Sequence, residues 1–194
     1  MPKQVDHAQR RRTIAEALWR IVVERGIEAV SLRHVAEEAG VSMGMVQHYF
    51  TGKDELLLFA LRAMTERVGS RIGTALRDAD PADSRAQVRA MFVETLPLDD
   101  ERRLEALVGC VFLIRATVDP ATAEHLRTGW FAGEAYFTGM LDAAGLPDAA
   151  LRCTLMLSVV QGLTLHALAG HLSPERTLHA LDAELDRVFG PKGR

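Results

Sequence analysis

The segment from Ser31 to Leu56, SLRHVAEEAGVSMGMVQHYFTGKDEL, decides how the beginning of the chain folds. Ser31 is a good N-cap residue, and the apolar residues that follow it recur at helical spacing. This pattern predicts a short helix from about Leu32 to Glu38, which stops at Gly40. A second short helix is predicted directly afterwards, from Met43 to Phe50. The two helices are therefore separated by a tight turn.

Two short helices joined in this way need particular residues at three positions. Ala36 is small enough for the helices to cross closely, Gly40 tolerates a left-handed turn, and Val46 is an apolar anchor on the second helix. Ser42 is the N-cap candidate of that second helix. The opposite face of the second helix is then free to enter a DNA major groove. The residues on that face are Met43, Gln47 and His48.

Together with a first helix from Arg12 to Gly26, the segment AEEAGVSMGMVQHYFTGKDELL resembles the N-terminal domain of TetR-type transcriptional regulators. Within it, GVSMGMVQHYF is most similar to the branch that contains the BetI-like repressors. The resemblance implies that Tyr49 and Lys53 contact DNA phosphates, with Thr51 as a helper. Many members have Tyr where this sequence has Gln47, so the base contact of that Tyr is not transferred. The predicted DNA-binding residues are Arg12, Ser31, Arg33, Ser42, Met43, Gln47, His48, Tyr49, Thr51 and Lys53.

The charge of Lys53 also favours contact with DNA. Lys53 falls in the first turn of the next predicted helix, where its ammonium opposes the helix dipole, and Thr51 is expected to cap that helix with Asp54. A charge in this position suggests a partner outside the chain. The alternatives are a solvated surface lysine, a Tyr49 ring that only packs in the core, and a His48 that is only a surface residue.

The distribution of charge favours local rather than global attraction to nucleic acid. The chain nets -3, while residues 1–60 carry eight basic and eight acidic residues. The first fifteen residues hold four basic groups against one acidic group, and such a tail could follow the phosphate backbone. A frayed, solvated tail is the alternative.

Composition and motifs limit the other classes of function. With 194 residues, of which 48% are hydrophobic and 25% charged, the chain can bury a core as one domain or two small ones. The run from Leu155 to Leu172 is too polar for a membrane span, and no signal peptide is evident, which predicts a soluble, cytoplasmic protein. Cys110 and Cys153 are predicted to be buried thiols. No P-loop, GxGxxG, HExxH or GxSxG motif occurs, and the seven histidines make no metal pattern, so neither an enzyme nor a cofactor is predicted.

The whole chain reads as helical, so the predicted fold class is all-α. A helix from Lys53 to about Ala79 joins a DNA-binding domain, residues 1–52, to an effector-binding and dimerisation domain, residues 53–194. Pro and Gly residues punctuate the later helices. Nine helices result, the number usual in TetR-type proteins: Arg12–Arg25, Leu32–Glu38, Met43–Phe50, Lys53–Ala79, Ser84–Leu96, Glu101–Val118, Pro120–Ala144, Asp148–Ala169 and Pro174–Phe189.

The last two helices carry more apolar residues than outer helices need, which indicates a dimer interface of the TetR type unless they are simply core. The predicted contacts are Leu155, Val159, Leu163, Leu178, Leu181 and Leu185. Soft apolar and aromatic residues of the middle helices could line an effector pocket, or they are simply core. Arg115 among them, if partly buried, needs a carboxylate partner, with Glu134 and Glu94 as candidates, or an anionic ligand; the alternative is that it snorkels to the surface at a helix end. The predicted pocket residues are Met64, Met91, Cys110, Ile114, Arg115, Phe131, Phe137 and Gln161.

The sequence therefore predicts a homodimeric regulator that binds double-stranded DNA at a palindromic operator. A small-molecule effector is expected to release it from the DNA, and the regulator is predicted to be a repressor. An activator would differ only in the position of the operator. The alternative from another class is an all-helical ligand-binding or protein-interaction module that keeps the two short helices only for packing.

Overall fold

A computed structural model describes the backbone of residues 2–190 and the side chains of residues 9–190. These residues form nine α-helices and one 3₁₀-helix, and no strand occurs among them. The 3₁₀-helix, Ile27–Ala29, lies between α1 and α2. The α-helices are α1 Pro2–Arg25, α2 Leu32–Ala39, α3 Met43–Tyr49, α4 Lys53–Asp78, α5 Ser84–Val93, α6 Asp100–Ala116, α7 Pro120–Ala143, α8 Ala149–Leu168 and α9 Pro174–Phe189.

Two expectations at the N-terminal end are corrected. α1 begins at Pro2 rather than Arg12, so the basic N-terminal segment continues the first helix instead of forming a tail. Thr51 pairs with Glu55 instead of Asp54: its amide and its hydroxyl each donate to Glu55 Oε2, at 2.8 Å. Glu55 is the third residue of α4, from which a carboxylate can reach back over the helix start.

The local signals around the two short helices act as expected. The Ser31 hydroxyl accepts the His34 amide at 3.1 Å, and the Ser42 hydroxyl accepts the Met45 amide at 3.2 Å. Gly40 adopts a left-handed conformation with φ of 66°, which favours a residue without a Cβ atom. These contacts fix the ends of α2 and α3 and hence the angle between them.

The first hydrophobic core joins the N-terminal helices to α6. It contains buried residues of α1, α2 and α3, the first half of α4, and Val108 and Phe112 of α6. Trp19 belongs to it, with 3% of its surface exposed, and its indole Nε1 donates to the Ala60 carbonyl at 3.1 Å. The predicted domain boundary after Gly52 coincides with the start of α4. The first half of α4 shares this core with α1, α2 and α3 before the boundary and with α6 after it.

The second core joins α5, α7, α8 and α9, and the C-terminal half of α4 packs against it through Ile72 and Leu76. One helix, α4, thus contributes to both cores. Among the described residues, α8 is also the helix that is long and apolar enough to cross a membrane, with a mean hydropathy of 1.3. A core helix of a soluble protein can have the same length and hydropathy, so these two properties alone do not indicate a membrane span.

A network of ion pairs joins α4 and α6 to the end of α5. Arg71 of α4 donates to Glu105 of α6 at 2.8 Å and to Glu94 at 3.1 Å, and Arg67 lies 3.1 Å from Glu105. Glu105 has only 5% of its side chain exposed. Its hydrogen bonds raise the pKa of Arg71, and the network leaves the Glu105 carboxylate paired although it is buried.

Candidate nucleic-acid interface

The second short helix, α3, presents one buried and one exposed face. Val46 is fully buried in the first core, whereas Met43 has 39% of its surface exposed and Gln47 and His48 are also exposed. Met43 and Gln47 are four residues apart, as are Gly44 and His48, so all four share one side of the helix. Gly44 was not predicted from the sequence, although its spacing from His48 was a signal; without a side chain it lets the backbone approach a ligand closely.

The residues after α3 are held by contacts within the chain. Tyr49 is half-buried against the first core, and its ring meets the His48 ring edge-on at 5.3 Å between centroids. The Thr51 amide and hydroxyl both donate to Glu55, and these bonds lower the pKa of that carboxyl group. Tyr49 and Thr51 therefore lie beside the exposed face of α3 in fixed positions.

Lys53 has a partner within the chain. This corrects the inference that its ammonium, which opposes the helix dipole at the start of α4, needs a partner outside the chain. Its ammonium donates to the Glu28 carbonyl at 3.3 Å and lies 3.7 Å from the Glu28 carboxylate. About a third of the side chain stays exposed, 32%. Lys53 thus ties the start of α4 to the 3₁₀-helix and still offers part of its charge to solvent.

The other predicted DNA-binding residues lie on helix surfaces. Arg12 is exposed on α1, and Arg33 is exposed on α2, where it donates to Glu37 at 2.9 Å and lowers the pKa of that carboxyl group. The hydroxyls of Ser31 and Ser42 are occupied as helix caps.

The predicted effector residues lie in several parts of the fold. Met64 is buried in the first core, and Met91 and Phe137 are buried in the second. Ile114 and Phe131 point outward, with 69% and 58% of their surfaces exposed. Cys110 and Gln161 contact each other, with 3.8 Å between Sγ and Nε2. The predicted set is therefore divided between two cores and the outer surface of α6 and α7.

A cleft of about 660 Å³ opens elsewhere, between α1 and α4. Arginines and aromatic side chains form much of its wall, and the Arg11 guanidinium stacks 4.4 Å from the centre of the Phe59 ring. None of the eight predicted effector residues lines this cleft.

The carboxylate partners of Arg115 differ from the expected Glu134 and Glu94. Its guanidinium donates to Asp54 at 3.2 Å, and its Nε lies 3.6 Å from Asp119. Glu94 instead pairs with Arg71 and Arg102. The Arg115–Asp54 pair joins the end of α6 to the start of α4, shortly after α3.

The predicted dimer residues differ in exposure. Leu155 has 46% of its surface exposed, and Val159, Leu163 and Leu178 are half-buried. Leu181 and Leu185 are fully buried in the second core of the protomer, where the stripe of α9 packs against its own chain, so neither is accessible for the predicted dimer contact. α8 carries an accessible apolar or small stripe instead, made of Leu151, Leu155, Ser158, Gly162 and Leu165.

The capped pair α2–α3, with the exposed face of α3 projecting from a small helical core, defines a helix-turn-helix DNA-binding protein. Residues 14–60 match the family described as bacterial regulatory proteins of the tetR family, and residues 81–190 match the BetI-type transcriptional repressor C-terminal family. The chain belongs to the TetR family of transcriptional regulators. The family and the all-α fold predicted from the sequence are thus confirmed, and the family consists of regulators, not enzymes.

Individual relatives agree with this assignment. The HTH-type transcriptional regulator PksA of Bacillus subtilis is 38% identical over 175 residues, which are 87% of this chain and 83% of that protein. A transcriptional regulator from a Rhodococcus species is 36% identical, with a TM-score of 0.85 over 92% of this chain and 95% of the other. A candidate regulator from Saccharomonospora viridis, crystallised in complex with choline, shares the fold at 22% identity and a TM-score of 0.83, over 92% of this chain and 96% of that one.

Proposed function

We propose that this TetR-family regulator acts in the cytoplasm as a homodimeric repressor, which binds a palindromic operator and leaves it when a small-molecule effector binds. The proposal rests on one observation: a single protomer has two accessible surfaces, the exposed face of α3 and the stripe of α8. One recognition helix reads only a few base pairs. Two of them, about 34–36 Å apart in a dimer, would read both halves of a palindrome.

The α8 stripe supports the dimer because its residues recur at 151, 155, 158, 162 and 165, which keeps them on one side of the helix. Leucines at the ends of the stripe are half-exposed or more, with 60% of Leu151 and 50% of Leu165 accessible. Ser158 and Gly162 in the middle are small and would let a second α8 approach closely. A Cβ atom at Gly162 would meet nothing within 4 Å in the protomer, so space for a partner exists there.

A structural change in the effector-binding domain would reach the DNA-binding helices through α4 and α6. α4 begins next to the recognition helix and reaches into the second core, while Phe112 of α6 is buried in the core of the DNA-binding helices. The Arg115–Asp54 ion pair adds a polar link at the same place. An effector that binds one arrangement of these helices better would shift the spacing of the recognition helices, typically with about 1–3 kcal/mol of coupling. The choline-bound neighbour supports a small-molecule effector for this fold.

Replacing Lys53 with Ala should weaken binding to all duplexes about equally. One phosphate contact fewer lowers the slope of log affinity against log salt by about one. The measurement is fluorescence anisotropy of labelled duplex at four salt concentrations. Arg77→Ala, which removes a cation at the other end of α4, is the matched control and should leave the slope unchanged. An unchanged slope for Lys53→Ala would mean that Lys53 serves only the bond to Glu28.

Replacing Gln47 with Ala should instead change sequence preference. A side chain that bonds to a base edge contributes about 1–3 kcal/mol of discrimination, so the preferred site should lose about 5- to 150-fold in affinity. Non-specific duplex, bound through phosphates, should be affected little. Competition titrations with both duplexes measure the two effects together. Equal losses on both would contradict a base-reading role for Gln47.

A further inference from the structure

Three helices of this chain, α2, α7 and α8, end in the same backbone arrangement. Each is followed by a glycine with positive φ, and the residue after that glycine donates its amide to the carbonyl five residues before it. The distances are 3.0 Å at α2, 3.1 Å at α7 and 2.9 Å at α8. This is the Schellman cap, which brings together the side chains of the two hydrogen-bonded residues, usually as an apolar contact. The glycines are Gly40, Gly145 and Gly170.

The third cap differs from the other two in the pair of side chains that it brings together. At α2 the pair is Ala36 and Val41, and at α7 it is Leu141 and Leu146, of which Leu141 is fully buried. At α8 the pair is His166 and His171, and both are exposed. Because the same chain makes this cap with apolar residues, the cap itself does not require imidazoles. The two histidines therefore call for another explanation.

The two imidazole rings face each other through the same nitrogen. His166 Nδ1 and His171 Nδ1 lie 3.1 Å apart, with 5.4 Å between the ring centroids. Two nitrogens bound to one metal ion at about 2.0–2.1 Å are about 2.9 Å apart at a right angle and about 3.3–3.4 Å apart at the tetrahedral angle. The observed separation falls between these values. We propose that His166 and His171 chelate a divalent transition-metal ion through their Nδ1 atoms.

The chemistry of the pair suits Ni²⁺, Cu²⁺ or Zn²⁺, which imidazole nitrogens favour over Mg²⁺ or Ca²⁺. Without metal, one Nδ1 carries a proton and donates it to the other; binding requires both rings to hold their proton on Nε2. The carbonyl end of α8 favours a nearby cation, whereas the Arg103 guanidinium, which donates to the Leu168 carbonyl at 2.9 Å, opposes it. No group of three or more potential ligands occurs among the described residues, so water would fill the other coordination positions.

The site was not predictable from histidine spacing in the sequence. Residues five apart in a continuous helix do not lie on one face. Gly170 ends α8 between them and, with a φ of 78°, turns the chain so that His171 folds back over the last turn. The proposal does not depend on DNA binding or on the effector.

The test uses the full chain without a histidine tag and Ni²⁺ alone, titrated calorimetrically at pH 7.5. The variant His166→Leu/His171→Leu reproduces the leucine pair that caps α7, so it should fold. His179→Leu, an exposed histidine on α9, is the matched control. Wild type and His179→Leu should bind one Ni²⁺ per protomer. The double variant should bind at least about tenfold more weakly, because the second nitrogen of a chelate binds intramolecularly.

Two further measurements keep the proposal open to refutation. His171→Ala keeps one imidazole and should lose a similar factor, even if the double variant does not fold. Affinity should follow the order Cu²⁺ above Ni²⁺ above Co²⁺ above Mn²⁺. If wild type binds Ni²⁺ no more tightly than His171→Ala, the two histidines form only a hydrogen-bonded pair and the proposal is overturned.

Discussion

Replacing Gly162 with Trp should separate the proposed dimer into folded monomers. In the protomer, a side chain at this position points into open space, so the substitution costs little there, and a helical glycine replaced by another residue gains helix propensity. In the proposed dimer the indole would fill the place where the second α8 must approach. Affinity for a palindromic duplex should then fall by about 10²- to 10⁴-fold, because two half-sites are no longer bound together.

Sedimentation equilibrium and anisotropy titration measure the two effects, and circular dichroism reports whether the monomer is folded. Gly69→Trp is the matched control, since Gly69 is also helical and also surrounded by open space, but on α4. It should remain dimeric and bind DNA as wild type does. A Gly162→Trp protein that stays dimeric with unchanged affinity would contradict the assignment of the α8 stripe as the interface.

Replacing Glu105 with Gln should lower the free energy of unfolding by about 2–4 kcal/mol. Glu105 is buried and pairs with Arg71 and Arg67, so its loss leaves two guanidinium groups without their most buried carboxylate. The expected cost is below that of a deeply buried pair, because Arg71 keeps Glu94 and 23% of its side chain is exposed. Urea denaturation followed by circular dichroism, at one fixed protein concentration, measures it.

The matched control is Glu124→Gln, which breaks an exposed pair with Arg127 on α7. It should change the free energy of unfolding by less than about 1 kcal/mol, since exposed pairs contribute little. If the two variants lower the free energy of unfolding by the same amount, the network between α4, α5 and α6 does not stabilise the fold as its burial indicates.

Local signals in the sequence were enough to predict most of the fold. Ser31 and Ser42 each cap a helix where expected, because an N-cap acts within three residues of itself, and Asp119 and Ser173 cap α7 and α9 in the same way. The start of α1 was missed since the basic N-terminal residues resemble a tail as much as a helix. Thr51 was paired with the wrong acidic residue because Asp54 and Glu55 are neighbours and only the helix geometry selects between them.

The candidate sites were less predictable because they depend on which way each helix faces. Phe131 and Phe137 lie on the same helix with similar surroundings in sequence, yet one is exposed and the other is buried against Phe92. Helical spacing alone cannot decide which of the two rings is buried, since the segments that pack against each face of the helix are distant in sequence. The partner of Lys53, Glu28, and that of Arg115, Asp54, are likewise far away along the chain.

Selection of bound sequences from random duplex DNA by the purified protein tests the central claim most directly. We expect an enriched palindrome whose half-sites lie about one helical turn apart or a multiple of it, and loss of this enrichment in Gly162→Trp. The measurement should be repeated at two salt concentrations, because phosphate contacts alone give salt-sensitive binding without sequence preference. Binding of that kind only, or enrichment of single half-sites without symmetry, would contradict a dimeric operator-reading regulator.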